Sequence, residues 1–386
     1  MTKSPDAGVQ DRQAEQVIRT TIVVPALGAG GTEHVVSLVA NHWSRQGHEI
    51  TIITFEPPAS EAYYAIDPHI DIWRLGGAGK PRSKLHSGLM ALRRMRRLRA
   101  ALRASRPTFI LSFLTRTNVL TLLAGKRLGV PIIVSERNNP ELQPFGRGWR
   151  WLQQRLYPTA FGLVTMTRGA LETFPPVMRK RGWVVPNAFD LPPGWNNRRE
   201  DTVLTAVGRL THQKGFDLLL EAFAKIAPDL PEWHLRIWGE GEDRASLEAL
   251  RDRLGLSDRV SMPGVTGRPG EWVETADVFV LSSRYEGWGI VLLEAMAAGI
   301  PAVSFRCQWG PEEMISDGED GILVDREDVD ALAAALRKIL KDPLLRYHLG
   351  RSAEQSARRF TQERVLAEWD AVAAAAHGAS ANPSSG

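Results

Sequence analysis

Short apolar runs alternate with amphipathic segments along the first half of the chain. Residues 20–25 (TTIVVP) are β-branched, residues 31–46 carry apolar side chains at helical spacing, and residues 49–55 (EITIITF) form a second strand-like run. A strand, a glycine-rich turn, a helix and a strand within about 35 residues form a βαβ unit, whose strands are parallel. The pattern continues with predicted strands at 109–114, 131–135, 161–165 and 182–185 and a helix at 118–128.

A segment rich in proline, glycine and asparagine, residues 186–197 (PNAFDLPPGWNN), interrupts the alternation and is a candidate linker. The alternation then restarts, with strands at 202–207, 233–238, 260–262, 278–282 and 302–305 and helices at 215–226, 243–254 and 290–298. This pattern predicts an α/β protein with two doubly wound Rossmann-like domains that face each other across a cleft, where ligands would bind. The predicted division is a disordered N-terminus at 1–19, an N-terminal domain at 20–188, a C-terminal domain at 189–375 and a disordered tail at 376–386.

Composition narrows the class of protein and its compartment. The 386 residues are 43% hydrophobic and 24% charged, with a formal net charge of +4, which is an ordinary globular balance. No apolar run is long enough to cross a membrane, and the polar first residues do not resemble a secretory signal. The single cysteine, Cys307, excludes an intramolecular disulfide and is interpreted as a packing residue. We therefore expect a cytoplasmic protein.

A glycine turn, Gly28-Ala-Gly-Gly31, separates the first strand from the first helix. Glycines allow a backbone to approach a ligand closely, and the amides at a helix N-terminus favour an anion. Glu33 stands where the dinucleotide fingerprint has its third glycine, so this fingerprint is absent. The turn is compatible with phosphate contact or with a tight turn alone.

A basic loop, Gly208 to Gly215 (GRLTHQKG), follows the first strand of the second domain and carries Arg209 and Lys214. Two cations beside a helix N-terminus are unfavourably placed in the field of the helix dipole. A bound diphosphate would remove the conflict by accepting hydrogen bonds from both side chains and from the amides. The alternative is a solvated charged loop, in which His212 is an exposed residue.

Two glutamates flank the start of a predicted helix that is apolar on nearly all sides. Glu286 lies in the loop before this helix and Glu294 lies inside it, while Gly299 and Pro301 mark its end. A buried carboxylate needs hydrogen-bond donors. Ligand hydroxyls such as those of a ribose could supply them, and so could an internal lysine or backbone amides.

The segment from Glu286 to Glu294 resembles the E-x7-E motif of retaining GT-B glycosyltransferases of family 4. Further segments similar to this family occur in the expected order over nearly the whole chain: GGTEHVV from Gly30, GRLTHQKGFDLLLEAF from Gly208, WGEGED from Trp238, PGVTG from Pro263, GPEEMI from Gly310 and DGILV from Asp320. The segment SERNNP, from Ser135, resembles a subset among exopolysaccharide and lipid-linked oligosaccharide enzymes. It lacks the histidine that many members place near the acceptor.

The resemblance implies a retaining hexosyltransferase. It would move a hexose or N-acetylhexosamine from a nucleotide sugar, UDP-linked in the first instance, to a polyprenyl-diphosphate-linked glycan in surface polysaccharide or glycoconjugate synthesis. It assigns catalysis to Glu286, Arg209 and Lys214, and acceptor contacts to Ser135, Glu136 and Arg137. The implied donor site comprises Gly30, Gly31, Gly208, Arg209, Lys214, Gly264, Val265, Glu286, Gly287, Gly289, Ile290 and Glu294.

Other interpretations stay open at this point. A UDP-sugar epimerase of the same architecture, a GDP-mannose-dependent mannosyltransferase and a non-enzymatic binding module are the alternatives, while the absence of interleaved aromatic residues argues against nucleic acid. We expect no cofactor and no metal ion. Asp328-Val-Asp330 matches the Asp-x-Asp pattern of other glycosyltransferases, but it opens an Ala/Leu-rich helix, where capping explains the acidic residues.

An arginine-rich segment at residues 89–106 (LMALRRMRRLRAALRASR) bears on localisation. As a helix it would place Ala91, Met95, Leu98 and Leu102 on one side and Arg93, Arg94 and Arg97 opposite them. Further basic, aromatic sequence follows at 145–151 (FGRGWRW) and 178–183 (MRKRGW). The segment is either a core-packed helix with a solvated basic face or a peripheral anchor on the anionic inner face of the cell membrane, where each basic residue contributes about 1 kcal/mol.

Overall fold

The computed structural model describes residues 18–76, 84–137, 146–189, 191, 194–195, 202–268, 270–307 and 309–381. These residues form two α/β domains, each built on a parallel sheet with helices on both faces. The predicted architecture of two doubly wound domains is confirmed.

The first domain contains a sheet of seven described strands in the order β3-β2-β1-β4-β5-β6-β7, all parallel. The strands are β1 (Arg19–Val23), β2 (Glu49–Thr54), β3 (Asp71–Arg74), β4 (Phe109–Phe113), β5 (Ile132–Ser135), β6 (Gly162–Thr165) and β7 (Gly182–Val184). The helices are α1 (Gly31–Arg45), α2 (Lys84–Ala104), α3 (Thr115–Gly125), α4 (Arg147–Leu156), α5 (Arg168–Glu172) and α6 (Pro176–Arg179). The strand order reverses between β1 and β4, and this switch point opens a crevice at the carboxyl edge of the sheet.

The second domain contains a sheet of six described strands in the order β10-β9-β8-β11-β12-β13. The strands are β8 (Val203–Val207), β9 (His234–Trp238), β10 (Val260–Gly264), β11 (Val278–Leu281), β12 (Ala302–Phe305) and β13 (Ile322–Val324). Its helices are α7 (Phe216–Ile226), α8 (Arg244–Arg253), α9 (Ile290–Ala297), α10 (Pro311–Met314), α11 (Val329–Lys341) and α12 (Pro343–Ala357), and the chain ends with α13 (Gln362–Ala381). Here the switch point lies between β8 and β11.

The C-terminal helix α13 packs on the first domain, although it follows the second domain in the chain. Its apolar side chains, among them Leu366, Trp369 and Val372, share one buried cluster with Trp43 of α1 and Phe109 of β4. Asp370 fastens the helix further, because it accepts hydrogen bonds from Trp43 Nε1 at 2.9 Å and His42 Nε2 at 3.0 Å. This arrangement differs from the sequence-based division, which assigned residues up to 375 to the second domain and 376–386 to a tail. Local spacing identifies an apolar face but not the sheet that covers it, and residues 376–381 continue the helix.

Two strands were not predicted, β3 and β13, which have four and three residues. Both lie at a sheet edge and are too short to show an alternating pattern. Residues 1–17 and 382–386, parts of the two segments predicted to be disordered, lie outside the described residues. Among the residues that the structure describes, no helix is long and apolar enough to span a bilayer.

Candidate active site

Glycines hold the basic loop against the ends of three strands. Gly215 has a φ of +61°, and a Cβ there would lie 2.1 Å from the carbonyl oxygen of Ser282, which follows β11. Gly239, which follows β9, has a φ of +141°, and its Cβ would lie 1.9 Å from the carbonyl oxygen of Gly208. Only glycine fits these positions. The loop that carries Arg209 and Lys214 is thereby fixed at the carboxyl ends of β8, β9 and β11.

Two of the predicted catalytic residues form an ion pair. Lys214 Nζ lies 2.6 Å from Glu286 Oε1, and the two side chains are 15% and 7% exposed. The Ser283 hydroxyl donates to the same carboxylate oxygen at 2.6 Å. Because one cation and one hydroxyl share this oxygen in a largely dry site, the position of the Glu286 carboxylate is well defined. Arg209, on the same loop, is exposed.

The single cysteine lies directly behind this pair. The Cys307 thiol donates to the carbonyl oxygen of Ser283 at 2.9 Å. Burial and the negative charge of Glu286 raise the pKa of the Cys307 thiol well above its usual range. The thiol therefore stays neutral, and the side chain supports the loop through packing.

The second glutamate has an internal donor that the sequence did not reveal. Helix α9 begins after Gly289, which has a φ of +94°. Glu294, one turn into the helix and half-buried, accepts a hydrogen bond from Trp272 Nε1 at 3.2 Å. Trp272 is 2% exposed and stacks obliquely on Phe279 of β11, with ring centroids 5.1 Å apart. Nothing in the sequence around Trp272 indicates this contact.

The glycine turn of the first domain lies opposite α9 across the cleft. A Cβ on Gly31 would lie 2.8 Å from Ile290 Cδ1, so the two domains meet at this point. Burial raises the pKa of Glu33, two residues later, and the positive charge of Arg209 opposes that rise. The turn therefore lies against the start of α9, on the side of the cleft that carries the basic loop.

Tyr64 was not predicted as a site residue, but it lies in the same region. Its ring lies 5.0 Å from that of His34 in α1. Burial raises the pKa of the Tyr64 hydroxyl well above its usual range, and the negative charges of Glu294 and Glu33 add to the effect.

The remaining predicted donor residues lie at the edges of this arrangement. Gly264 ends β10 with a φ of +95°, and its carbonyl accepts from the Gly239 amide at 2.8 Å, which links it to the basic loop. Val265 beyond it is 64% exposed. Gly287 continues the loop from Glu286 into α9. The structure therefore gathers most of the predicted donor residues around one cleft.

The three predicted acceptor residues lie beneath the cleft surface rather than on it. Ser135, Glu136 and Arg137 are 0%, 3% and 5% exposed. Arg137 donates from Nη1 to the carbonyl of Val185 at 2.9 Å, its guanidinium lies 5.3 Å from the Trp369 ring of α13, and burial lowers its pKa to about 9. Residues 138–140 of the same motif lie outside the described residues.

Glu136 is held by neutral donors. Tyr157 and Thr115 donate hydroxyl hydrogen bonds to it, the latter at 2.9 Å, and Asn118 Nδ2 approaches at 3.4 Å. Burial raises the pKa of Glu136 from its ordinary value of 4.5 to about 7, against the lowering effect of these hydrogen bonds. The described donors to Glu136 are therefore two hydroxyls and an amide, none of them charged.

A carboxylate of the second domain forms hydrogen bonds with the first domain. Glu313 in α10 accepts hydrogen bonds from the backbone amides of Arg168 and Gly169, at 3.2 and 3.1 Å, where α5 begins. Trp309 packs on Gly169, whose Cβ would lie 2.4 Å from the indole. The GPEEMI segment therefore joins the domains on the side of the cleft where β6 ends.

The arginine-rich helix α2 is amphipathic, with one difference from the prediction. Leu98 and Leu102 are buried and Arg93 and Arg97 are exposed, as predicted. Arg94 is half-buried instead, with its guanidinium 3.9 Å from the Phe55 ring. The side chain of Ala91 lies outside the described residues.

The acidic pair Asp328 and Asp330 serves helix α11. Asp328 accepts a hydrogen bond from the Ala331 amide at 2.9 Å and caps the helix, as predicted, and Asp330 pairs with Lys225.

The cleft combines groups that suit a phosphorylated sugar. Arg209, Lys214 and the α9 N-terminus supply positive potential for a diphosphate. Glu286 and Glu294 supply acceptors for hydroxyl groups. The first domain contributes a glycine turn that a ligand can approach closely.

Both domains match models of known protein families. Residues 30–188 match the model of the glycosyl transferase 4-like domain, and residues 190–356 match that of the glycosyl transferases group 1. An α-1,4-N-acetyl-D-galactosaminyltransferase of Campylobacter jejuni, named for a glycan acceptor on PP-undecaprenol, is 28% identical over 359 residues, 92% of this chain and 97% of that protein. An exopolysaccharide phosphotransferase of Streptomyces coelicolor is 38% identical over 189 residues, which are 48% of this chain but only 20% of that protein.

Among solved structures, the Anabaena protein HepE in complex with UDP and glucose superposes with a TM-score of 0.76 at 17% identity. The superposition covers 92% of this chain and 99% of HepE. The chain is therefore a glycosyltransferase with the GT-B fold, built from a glycosyl transferase 4-like domain and a group 1 domain.

Proposed function

We propose that this enzyme transfers a hexose or N-acetylhexosamine from a nucleotide sugar, UDP-linked in the first instance, to a glycan carried on a polyprenyl diphosphate, with retention of anomeric configuration. The product would belong to a surface polysaccharide or glycoconjugate. The Lys214–Glu286 ion pair carries this proposal, because it places a cation for a diphosphate next to a carboxylate for sugar hydroxyls. The acceptor for which the Campylobacter relative is named and the UDP and glucose bound to HepE support the choice of acceptor and donor.

The proposed chemistry uses charges that the chain already holds. When the bond between the anomeric carbon and the diphosphate breaks, Arg209, Lys214 and the α9 N-terminus stabilise the negative charge on the leaving nucleotide. Lys214 then shares its charge between Glu286 and the phosphate. The acceptor hydroxyl attacks from the face that the nucleotide leaves, which gives retention, and its proton passes to the departing phosphate oxygen. No divalent ion takes part in this scheme.

A donor screen tests the proposal most directly. The enzyme is incubated with UDP-sugars and GDP-mannose, with and without a diphosphate-linked glycan acceptor, and released nucleotide and the anomeric signal of the product are measured. We expect acceptor-dependent release of UDP and an α product from an α donor. Conversion of a UDP-sugar into its isomer without acceptor would establish an epimerase instead, and preference for GDP-mannose would correct the donor.

We further propose that the enzyme docks on the anionic inner face of the cell membrane through its first domain. Helices α2, α3 and α4 share one buried cluster, so they form a single layer on one face of the sheet. Arg93, Arg97, Arg147 and Arg150 are exposed on this layer. The basic helices α2 and α4 therefore lie on the same face of the first-domain sheet, which favours docking over separate solvated faces.

Vesicle binding tests the docking surface. We expect salt-sensitive binding to vesicles that contain phosphatidylglycerol, and loss of binding when Arg93 and its exposed neighbour on α2, Arg96, are both replaced by Glu. Arg94 is left unchanged because it packs on Phe55. Replacing the exposed second-domain residues Arg253 and Arg351 by Glu gives the same change of net charge and should leave binding nearly intact. Equal effects of the two pairs would show that only net charge matters and would remove the docking proposal.

A further inference from the structure

A cavity of about 360 Å³ lies between α4 and the α5–α6 segment of the first domain. Its floor is apolar and aromatic, formed by Tyr157, Phe174 and Met178, which are 2%, 9% and 1% exposed. The rings of Tyr157 and Phe174 stack with centroids 6.1 Å apart at 10°. This volume lies in the range of cavities that bind small organic ligands.

The mouth of the cavity is polar and positively charged. Arg150, Gln154 and Thr173 line it, and no carboxylate is among the lining residues that the structure describes. A shallow depression shares Arg150 and Gln154 with the cavity and adds Arg147 and Trp151. A ligand that complements both parts has a hydrocarbon segment for the floor and an anionic group for the arginines at the mouth.

The surface around the mouth carries exposed apolar side chains. Trp151 of α4 is 56% exposed and Val177 of α6 is 44% exposed. A Trp beside arginines at a protein surface is typical of contact with a membrane interface. The cavity therefore opens on the surface that the docking proposal places against lipid.

The floor of the cavity is linked to a residue buried beneath the cleft surface. The ring of Tyr157 lines the cavity, and its hydroxyl donates to Glu136. Glu136 directly follows β5, at the carboxyl edge of the sheet that faces the second domain. Tyr157 and Glu136 thus lie between the cavity and the region where the acceptor sugar is expected.

We propose that this cavity binds the first isoprenoid units of the lipid-linked acceptor, with its diphosphate on Arg147 and Arg150. This inference rests on the proposed function for the identity of the acceptor. It adds a subsite for the hydrocarbon tail that lies outside the donor cleft. The enzyme would then recognise its acceptor by the tail and the diphosphate as well as by the glycan.

Binding of small probes tests the subsite without turnover. Farnesyl diphosphate, inorganic pyrophosphate and farnesol are titrated by calorimetry into the full-length protein, without detergent and with saturating UDP to occupy the donor cleft. We expect farnesyl diphosphate to bind at least tenfold more tightly than either of the other two. Equal binding of pyrophosphate, equal binding of farnesol, or no binding of any probe overturns the proposal.

Two exposed threonines provide a matched pair of variants. Thr173 lines the cavity, Thr159 does not, and each hydroxyl donates to the carbonyl three residues before it, at 2.8 and 2.7 Å. Thr173→Trp should block the mouth and weaken farnesyl diphosphate at least tenfold, whereas Thr159→Trp should change its affinity less than twofold. Arg150→Gln should weaken farnesyl diphosphate and leave farnesol unchanged. An unchanged affinity in Thr173→Trp, or equal effects of both threonine variants, counts against the cavity.

The same preparations separate this inference from the proposed function. If wild-type protein transfers sugar to a lipid-linked acceptor but fails the probe titration, only the tail subsite is wrong. If it binds farnesyl diphosphate as expected but releases no nucleotide with any donor and acceptor, the subsite stands and the proposed function fails.

Discussion

Substitutions of Lys214 and Glu286 should separate the contribution of their ion pair to the free energy of unfolding from its contribution to turnover. Lys214→Met keeps most of the side-chain length but leaves the Glu286 carboxylate, whose side chain is 7% exposed, with the Ser283 hydroxyl as its remaining described donor. At an effective dielectric constant of about 20, two unit charges 2.6 Å apart attract by about 6 kcal/mol before desolvation is subtracted. Removing one partner of a buried pair costs about 3–5 kcal/mol. The pair is not wholly dry, so we expect a loss of about 3 kcal/mol.

The double variant Lys214→Met/Glu286→Gln supplies the decisive comparison. It removes both charges, so no ion remains buried and most of the lost stability should return. Turnover should not return, because both variants lack groups that act on the donor, and losing one such group costs about 100-fold or more. Urea denaturation of the full-length protein, followed by tryptophan fluorescence, measures stability, and nucleotide release measures turnover. Single and double variants of equal stability would refute the reasoning about the pair.

Three further outcomes follow from the structure. Burial raises the pKa of Glu136 from 4.5 to about 7, so the folded protein retains a proton there that the unfolded chain releases, and stability should fall as pH rises from about 5 to 7. Denaturation at several pH values should show that the free energy of unfolding falls by up to about 3 kcal/mol more in wild type than in Glu136→Gln over this range. Parallel plots of unfolding free energy against pH for the two proteins would contradict this. Gly239→Ala should cost at least about 2 kcal/mol more than Gly255→Ala, since both glycines have positive φ but only the first meets a backbone oxygen, at 1.9 Å. Sugar transfer should persist in EDTA, and complete loss that Mg²⁺ or Mn²⁺ restores would show that a divalent ion is required.

The spacing of apolar residues was enough to predict most of the strands and helices. The strands of a buried parallel sheet are short apolar runs, and glycine turns separate them from amphipathic helices. Most predicted strand boundaries lie within one or two residues of those observed. The edge strands β3 and β13 were not predicted, because three or four residues are too few to show the alternation of apolar and polar residues. The packing of α13 on the first domain could not be predicted, because an apolar helix face does not indicate which sheet it will pack against.

The site was predictable to the extent that its residues lie in loops at strand ends. Arg209, Lys214 and Glu286 follow strands whose carboxyl ends meet at one edge, so their convergence follows from the topology. The Trp272 donor to Glu294 is a contact between elements that carry no common pattern. Likewise, the burial of Glu136 and Arg137 depends on Tyr157 and Trp369, which are distant in the chain.

The return of α13 to the first domain limits how this protein can be recombined with its relatives. A fragment cut at the linker would expose the apolar surface around Trp43 and Phe109 that α13 covers. A chimera that exchanges only the donor-binding half therefore needs two junctions, one near residue 188 and one between Phe360 and Gln362. Helix α13 then stays with the first domain that it covers. The exchanged segment is an internal one, inserted between the two junctions, rather than the whole C-terminal half of the chain.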